Sequence, residues 1–138
     1  MKFFIKSLLT PVYYFFWKAY IVIMGFIFKT KITNGFDIPV IINNRNRLTF
    51  LKKLIESLED KGYRNIFIID NDSDYQPLLD YYENCAYEVF RLDQNVGYLA
   101  LWKTNLYKRF IKDYYVYTDS DVVPTENCPI DFLHQFFQ

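Results

Sequence analysis

Histidine and cysteine are almost missing from this sequence, which has one His, His134, and two Cys, Cys85 and Cys128. Two cysteines cannot build a disulfide framework or a Cys-based zinc site, and a lone His argues against a multi-His metal centre or a His-centred triad. Net charge is lacking too, since 16 Lys plus Arg balance 16 Asp plus Glu. A generic nucleic-acid binder carries a basic excess, so nucleic acid is not an expected partner. Glycine is scarce at four residues, and no internal repeat or low-complexity tract is visible. Aromatics, by contrast, are abundant: 14 Phe and 13 Tyr in 138 residues that are 51% hydrophobic and 23% charged. That composition excludes disorder and suits one modest domain with ample core material. Its chemistry, if any, is expected to run on carboxylates.

The zero net charge hides an asymmetry. Residues 1–36 carry Lys2, Lys6, Lys18, Lys29 and Lys31 and no acid, whereas residues 37–138 carry every acid and an excess of five negative charges. Within the front, Ser7 to Phe28 is a stretch of 22 residues with a single charge, long enough to span a hydrocarbon core as a helix. Its eleven Leu, Ile, Val and Phe residues favour insertion by about 3–7 kcal/mol, against a cost of about 2.5–3.5 kcal/mol for Lys18. Tyr13, Tyr14, Trp17 and Tyr20 around that lysine suit a headgroup boundary equally well, with the helix lying in the interface. The front is therefore expected to be a hydrophobic helix that contacts a membrane; a buried helix of a larger protein is the alternative. A cleaved signal peptide fits poorly, because Lys18 interrupts the apolar run and no small-x-small site follows. The sequon Asn71-Asp72-Ser73 falls in the candidate site described below, which points to the cytoplasmic side.

Beyond Asn34-Gly35 the pattern alternates. The apolar run Ile38-Pro39-Val40-Ile41-Ile42 predicts a strand and ends in Asn43-Asn44-Arg45-Asn46. Leu48, Leu51, Leu54, Ile55 and Leu58 then recur at helical spacing, and Lys61-Gly62 supplies a stop. Ile66-Phe67-Ile68-Ile69 predicts a second strand, broken by Asp70-Asn71-Asp72-Ser73-Asp74, and a helix opened by Pro77 spans 77–84. A third, edge-like strand at 87–90 and the turn Asn95-Val96-Gly97 follow, then a helix over 98–110. Tyr114 to Thr118 predicts a fourth strand running into Asp119-Ser120-Asp121, and residues 129–133 suggest the first turns of another helix. Such alternation implies a mostly parallel α/β sheet with flanking helices, whose ligand crevice lies at the carboxyl ends of the strands. The polar clusters at 43–47, 70–74 and 119–121 all sit there.

Two carboxylates one residue apart at a strand end, Asp119 and Asp121, suit a hard divalent cation that shares its remaining ligands with phosphate. The plain alternative is a solvated turn, since eleven Asp give about one Asp-x-Asp by chance and this chain has three. Asp70 to Asp74 is open in the same way, between a helix-capping turn and a contact to base or ribose. Arg91 and Lys103 are the basic candidates for a phosphate, with a solvated helix face as the simpler reading of Lys103.

From residue 38 to about 123 the chain resembles the nucleotide-binding half of a GT-A glycosyltransferase, most closely the inverting family-two group. The segment IPVIINNRNRLTFLKKLIESL is similar to that group's opening strand and helix, with Asn46-Arg47 in place of its Asn-Arg. Ile66 to Asp74 resembles its second strand and Asp-Asn/Asp-Gly-Ser turn, and Asn95-Val96-Gly97-Tyr98 its Asn-x-Gly-aromatic turn. Tyr117-Thr118-Asp119-Ser120-Asp121 occupies the place of its Asp-x-Asp. Asn43 stands where the family usually has Pro, Arg45 where it has an aromatic, and Asp72 where it has Gly. Leu99-Ala100-Leu101-Trp102 is bulkier than the usual small residues.

The resemblance implies a Rossmann-like, GT-A-type domain over 37–138, incomplete at its C-terminus, behind a membrane-associating segment over 1–36. It implies a nucleotide-diphosphate sugar donor, Mg²⁺ or Mn²⁺, and a sugar or lipid-linked acceptor in glycan or polysaccharide synthesis. The implied nucleotide-binding residues are Asn43, Arg45, Asp70, Asn71, Asn95, Gly97 and Asp119, and the implied metal ligands are Asp119 and Asp121. Only 17 residues follow Asp121, and the acceptor half and general base of this family lie beyond that point. The expectation is thus either a fragment of a longer transferase or a non-catalytic module that binds donor without turnover. A nucleotidyltransferase is a third reading, opposed by the lack of Gly between Asn43 and Arg47.

Overall fold

A computed structural model describes residues 17–19 and 32–137. The chain divides into two compact units, Met1–Lys31 and Ile32–Gln138. In the first, residues 17–19 are helical; the rest of the expected front helix lies outside the described residues. Among the described residues no helix is long and apolar enough to cross a membrane.

The second unit is built on four strands, β1 (Val40–Asn44), β2 (Ile66–Asp70), β3 (Glu88–Arg91) and β4 (Val116–Asp119). They form an all-parallel sheet in the order β3-β2-β1-β4. Three α-helices accompany it: α1 (Leu48–Asp60), α2 (Gln76–Asn84) and the single turn α3 (Ala100–Lys103). The layout is the Rossmann-like α/β arrangement that the alternating pattern predicts.

Strand periodicity divides the core in two. Val40 and Ile42 of β1 and Ile66 and Ile68 of β2 pack with Leu51, Leu54, Ile55 and Leu58 of α1 and with Leu78 and Tyr82 of α2. Ile41 and Ile69 face the other way, against Ala100, Leu101 and Phe110. Each of the four buried α1 side chains contributes up to about 1.5–3 kcal/mol, so the amphipathic stripe in the sequence holds α1 in place. The helix stops where Lys61-Gly62 predicts. Gly62 takes φ +91, Gly62 N–H donates to Glu59 O at 2.9 Å and Tyr63 N–H to Leu58 O at 2.9 Å, the paired bonds of a Schellman cap. On the other face Arg109 lies over the rings of Phe67, Phe90 and Phe110. Its two bonds to Glu88, both 2.6 Å, hold that carboxyl below its usual range.

Two expectations need correction. The helix predicted over 98–110 is broken into a 3-10 turn (Gly97–Leu99), α3, and a second 3-10 turn (Leu106–Arg109). Thr104 Oγ1 donates back to Ala100 O at 2.6 Å, and Asn105 adopts a left-handed φ of +62. Side-chain competition for the helical carbonyls, followed by a residue tolerant of that φ, ends the helix. Residues 129–133 form turns rather than helix, followed by a 3-10 turn (His134–Phe137).

That last turn closes against the start of the unit. Leu133 N–H donates to the hydroxyl of the buried Tyr63 at 3.1 Å, and a Cβ on Gly35 would stand 2.6 Å from His134 Cα and N. Gly35→Ala is therefore expected to cost about 1–3 kcal/mol by overpacking, seen as a lower thermal unfolding midpoint; an unchanged midpoint would show that the turn is not docked there.

Candidate functional site

Register brings the strand ends level. Asn44 of β1 pairs with Asp70 of β2, Asp70 with Arg91 of β3, and Asn43 with Asp119 of β4. The ladder continues one residue past them, with Asn71 N–H on Asn44 O at 2.8 Å and Ser120 N–H on Asn43 O at 3.2 Å. All three polar clusters thus leave the sheet at one edge.

Asparagine side chains then tie the loops together. Asn46, at φ +56, accepts from the backbone N–H groups of Asp74 (3.0 Å) and Tyr75 (3.1 Å) and donates to Asp74 Oδ1 (2.7 Å). Its own N–H donates to Ser73 Oγ at 2.9 Å. Asn71, nearly fully buried, accepts from Val96 N–H at 2.8 Å and donates to Gly97 O at 3.0 Å. Loops that are 25 or more residues apart in sequence are thereby held in one conformation. Asn46→Ala is expected to lose about 1–2 kcal/mol, since it removes the acceptor of the Asp74 and Tyr75 N–H groups just ahead of α2 and puts Ala at a left-handed φ. Asn46→Gly should lose less. Equal losses in urea unfolding would show that the φ is unimportant.

The resulting cleft has a volume of about 480 Å³ and is lined by Asn43, Arg45, Arg47, Asn71, Gly97, Tyr98, Asp119, Ser120 and Asp121. It opens between β1 and β4, where the strand order reverses, the position at which open α/β sheets bind ligands. Gly97 has φ +77, and a Cβ there would meet nothing within 4 Å, so its backbone faces open space. The charges are mixed. Arg47 forms an ion pair with Asp121, Arg45 Nε donates to Asp72 O at 3.2 Å, and Asn43 Nδ2 donates to Asp119 Oδ1 at 3.1 Å. Asn43 Oδ1 is buried without a partner among the described residues.

Of the residues singled out in the sequence, Asn43, Arg45, Asn71, Gly97, Asp119 and Asp121 line this cleft, whereas Asp70 and Asn95 do not. Asp70 is fully buried, accepting from the Tyr82 hydroxyl at 3.3 Å, Ser73 N–H at 3.4 Å and Arg91 Nε at 3.4 Å. Burial, the largest effect, pushes the Tyr82 hydroxyl far above its ordinary value, so it stays a proton donor to Asp70. Asn95 uses its Oδ1 to accept Gly97 N–H at 2.9 Å and shapes the turn. The basic candidates Arg91 and Lys103 are occupied as well, Arg91 with Asp70 and Lys103 Nζ with Val96 O at 2.9 Å. Arg47, Tyr98 and Ser120 complete the lining. Arg47 and Tyr98 carry a sequence signal only as members of the Asn-Arg and Asn-x-Gly-aromatic motifs.

The donor set suits a hard divalent cation in a limited way. Asp119 and Asp121 offer oxygen only, and no group of three or more metal-ligating side chains occurs among the described residues. An ion held there would need its other ligands from phosphate and water, as Mg²⁺ commonly does, and would compete with Arg47 for Asp121. No protein-family model, curated protein or solved structure matches this chain.

Proposed function

We propose that the protein is a nucleotide-sugar-dependent glycosyltransferase of the GT-A type, or the donor-binding half of one. It acts in glycan or polysaccharide synthesis at the cytoplasmic face of a membrane. The observation that carries this reading is the cleft at the strand-order reversal, where two arginines and an Asp-x-Asp pair meet on loops cross-linked by asparagines. A nucleoside diphosphate needs both kinds of charge: cations for its oxygens, and anchoring acids for the ion it carries. Arg45 and Arg47 supply the first, with Arg47 turning from Asp121 to phosphate. Asp119 and Asp121 are the residues that would hold a Mg²⁺ or Mn²⁺ ion, which when bound would supply Lewis-acid stabilisation to a diphosphate leaving group. The Gly97 backbone leaves room for close approach, and Asn71 fixes that turn before the ligand arrives. The acceptor is a sugar or a lipid-linked sugar, matched to the basic, aromatic front of the chain. Among the described residues the cleft holds no carboxylate beyond Asp119 and Asp121, so the step assigned here is donor binding and leaving-group stabilisation.

Photolabelling tests the location. With 5-azido-UDP and 8-azido-GDP in the presence of Mn²⁺, labelled peptides are expected to contain residues 43–47, 95–98 or 119–121. Labelling confined to the opposite end of the sheet would sink the assignment.

A further inference from the structure

The segment that follows β4 runs along the C-terminal half of α1. Ser57 Oγ donates to Pro124 O at 3.5 Å, and Lys61 Nζ donates to Cys128 O at 3.0 Å. Against this segment lies a cavity of about 240 Å³, walled by Leu54 and Leu58 of α1, Val40 of β1, Val116 of β4, and Val123 and Phe132 beyond it. Only Thr118 and Cys128 bring polar side-chain atoms to its lining, and the Thr118 hydroxyl already donates to Asp119 O at 3.2 Å. An adjoining groove of about 480 Å³ has the opposite character, with two ammonium groups, Lys53 and Lys61, and three carboxylates, Glu56, Asp60 and Glu126. Among the described residues none of these five charges is in an ion pair. Val123 and Pro124 line both spaces, and the Lys61–Cys128 bond links a side chain of the groove to a residue of the cavity.

We propose that cavity and groove together form a site for a single-chain zwitterionic amphiphile. Its acyl chain fills the cavity, its phosphate meets Lys61, and its ammonium lies among Glu56, Asp60 and Glu126. The site is separate from the nucleotide cleft and does not rest on the glycosyltransferase reading. The lining selects the ligand. Water in the cavity finds almost no hydrogen-bond partner, and apolar cavities of this kind stay dry and take apolar ligands. A polar ligand there would lose its hydration without replacement. The groove discriminates by sign. Three carboxylates against two ammonium groups repel a purely anionic head, so a fatty acid gains little, whereas a zwitterion finds an opposite charge for each of its own.

The test is photolabelling of the full chain in digitonin, an uncharged detergent without an acyl chain. The probe is a lysophosphatidylcholine with a diazirine at the end of a decanoyl chain. Unlabelled decanoyl lysophosphatidylcholine, glycerophosphocholine and decanoate compete with it. Within residues 32–137 the label is expected on 54–58 or 116–133, displaced by the lysolipid at concentrations where the other two leave it in place. Lys61→Met is expected to weaken binding about tenfold, the size of one lost charge-assisted contact, while Lys61→Arg retains most of it. Cys128→Phe fills the cavity and should abolish the label. Thermal melting confirms that each variant is folded. Should Cys128→Phe not fold, Val122→Phe, at a lining residue that is 61% exposed, is expected to give the same loss. No label on those residues, or label that survives the cavity-filling variant, overturns the site. Decanoate competing as well as the lysolipid, or unchanged affinity in Lys61→Met, overturns the zwitterionic head. Glycerophosphocholine competing as well as the lysolipid overturns the place given to the acyl chain.

Discussion

In Asp121→Asn, nucleotide binding in the presence of Mn²⁺ is expected to weaken by about a hundredfold, the upper end of what loss of even a supporting residue does to a metal site. Two effects oppose each other in this variant. Losing the carboxylate would remove one of the two ligands proposed for the cation, while Arg47 no longer has to leave Asp121 to reach phosphate. The Arg47–Asp121 pair has both side chains about half exposed, and pairs of that kind contribute about 0–1 kcal/mol. Loss of coordination therefore dominates with Mn²⁺ present. Without Mn²⁺ the order reverses, and the variant is expected to bind nucleotide slightly more tightly than the wild type, because Arg47 is no longer held by Asp121. Isothermal titration with and without Mn²⁺ checks both signs. Unchanged metal-dependent affinity in the variant would remove Asp121 from the site.

Asp70→Ala is expected to act on stability first. Asp70 sits at the end of β2 with no solvent exposure, and it gathers Tyr82, Ser73 and Arg91 around one carboxylate. Tyr82 in turn accepts from Asn44 Nδ2 at 2.9 Å, so the network joins β1, β2 and α2 beneath the cleft. Arg91 is mostly exposed and turns to water once its partner is gone. The buried Tyr82 hydroxyl and Ser73 N–H cannot, and leaving them unsatisfied costs about 2–3 kcal/mol. A lower urea unfolding midpoint is the expected result. Asp70→Asn, which keeps an acceptor in place, should lose less. A midpoint that does not move, with nucleotide affinity lost, would return Asp70 to the role of a direct ligand contact.

Asp70 also shows how far a sequence carries such an assignment. Its position at the end of an apolar run places it at the carboxyl edge of the sheet, because the run Ile66 to Ile69 reads as a buried strand. Whether the carboxylate then turns to the ligand or inward depends on Tyr82, twelve residues away on α2, and nothing in local pattern encodes that meeting. The two central strands were legible for the same reason that Asp70's position was: the apolar runs of β1 and β2 are rich in β-branched residues and bounded by polar clusters. The helix stop at Gly62 was legible because glycine there has a single structural use. The segment over 98–110 was not. Its apolar residues keep helical spacing, but the Thr104 bond to Ala100 O and the left-handed φ of Asn105 outweigh that pattern, and apolar spacing encodes neither. Arg47 was hidden in a different way, since one charge in a polar run has no direction until its partner Asp121 arrives from β4.

The cleft between β1 and β4 is proposed to hold a nucleoside diphosphate together with a divalent cation. Titration of the full chain with UDP, GDP, dTDP and CMP, each with and without Mn²⁺, tests it most directly. The expected result is selective binding of one nucleotide, strengthened by Mn²⁺. A chain shown to be folded that binds none of the four under either condition would contradict it.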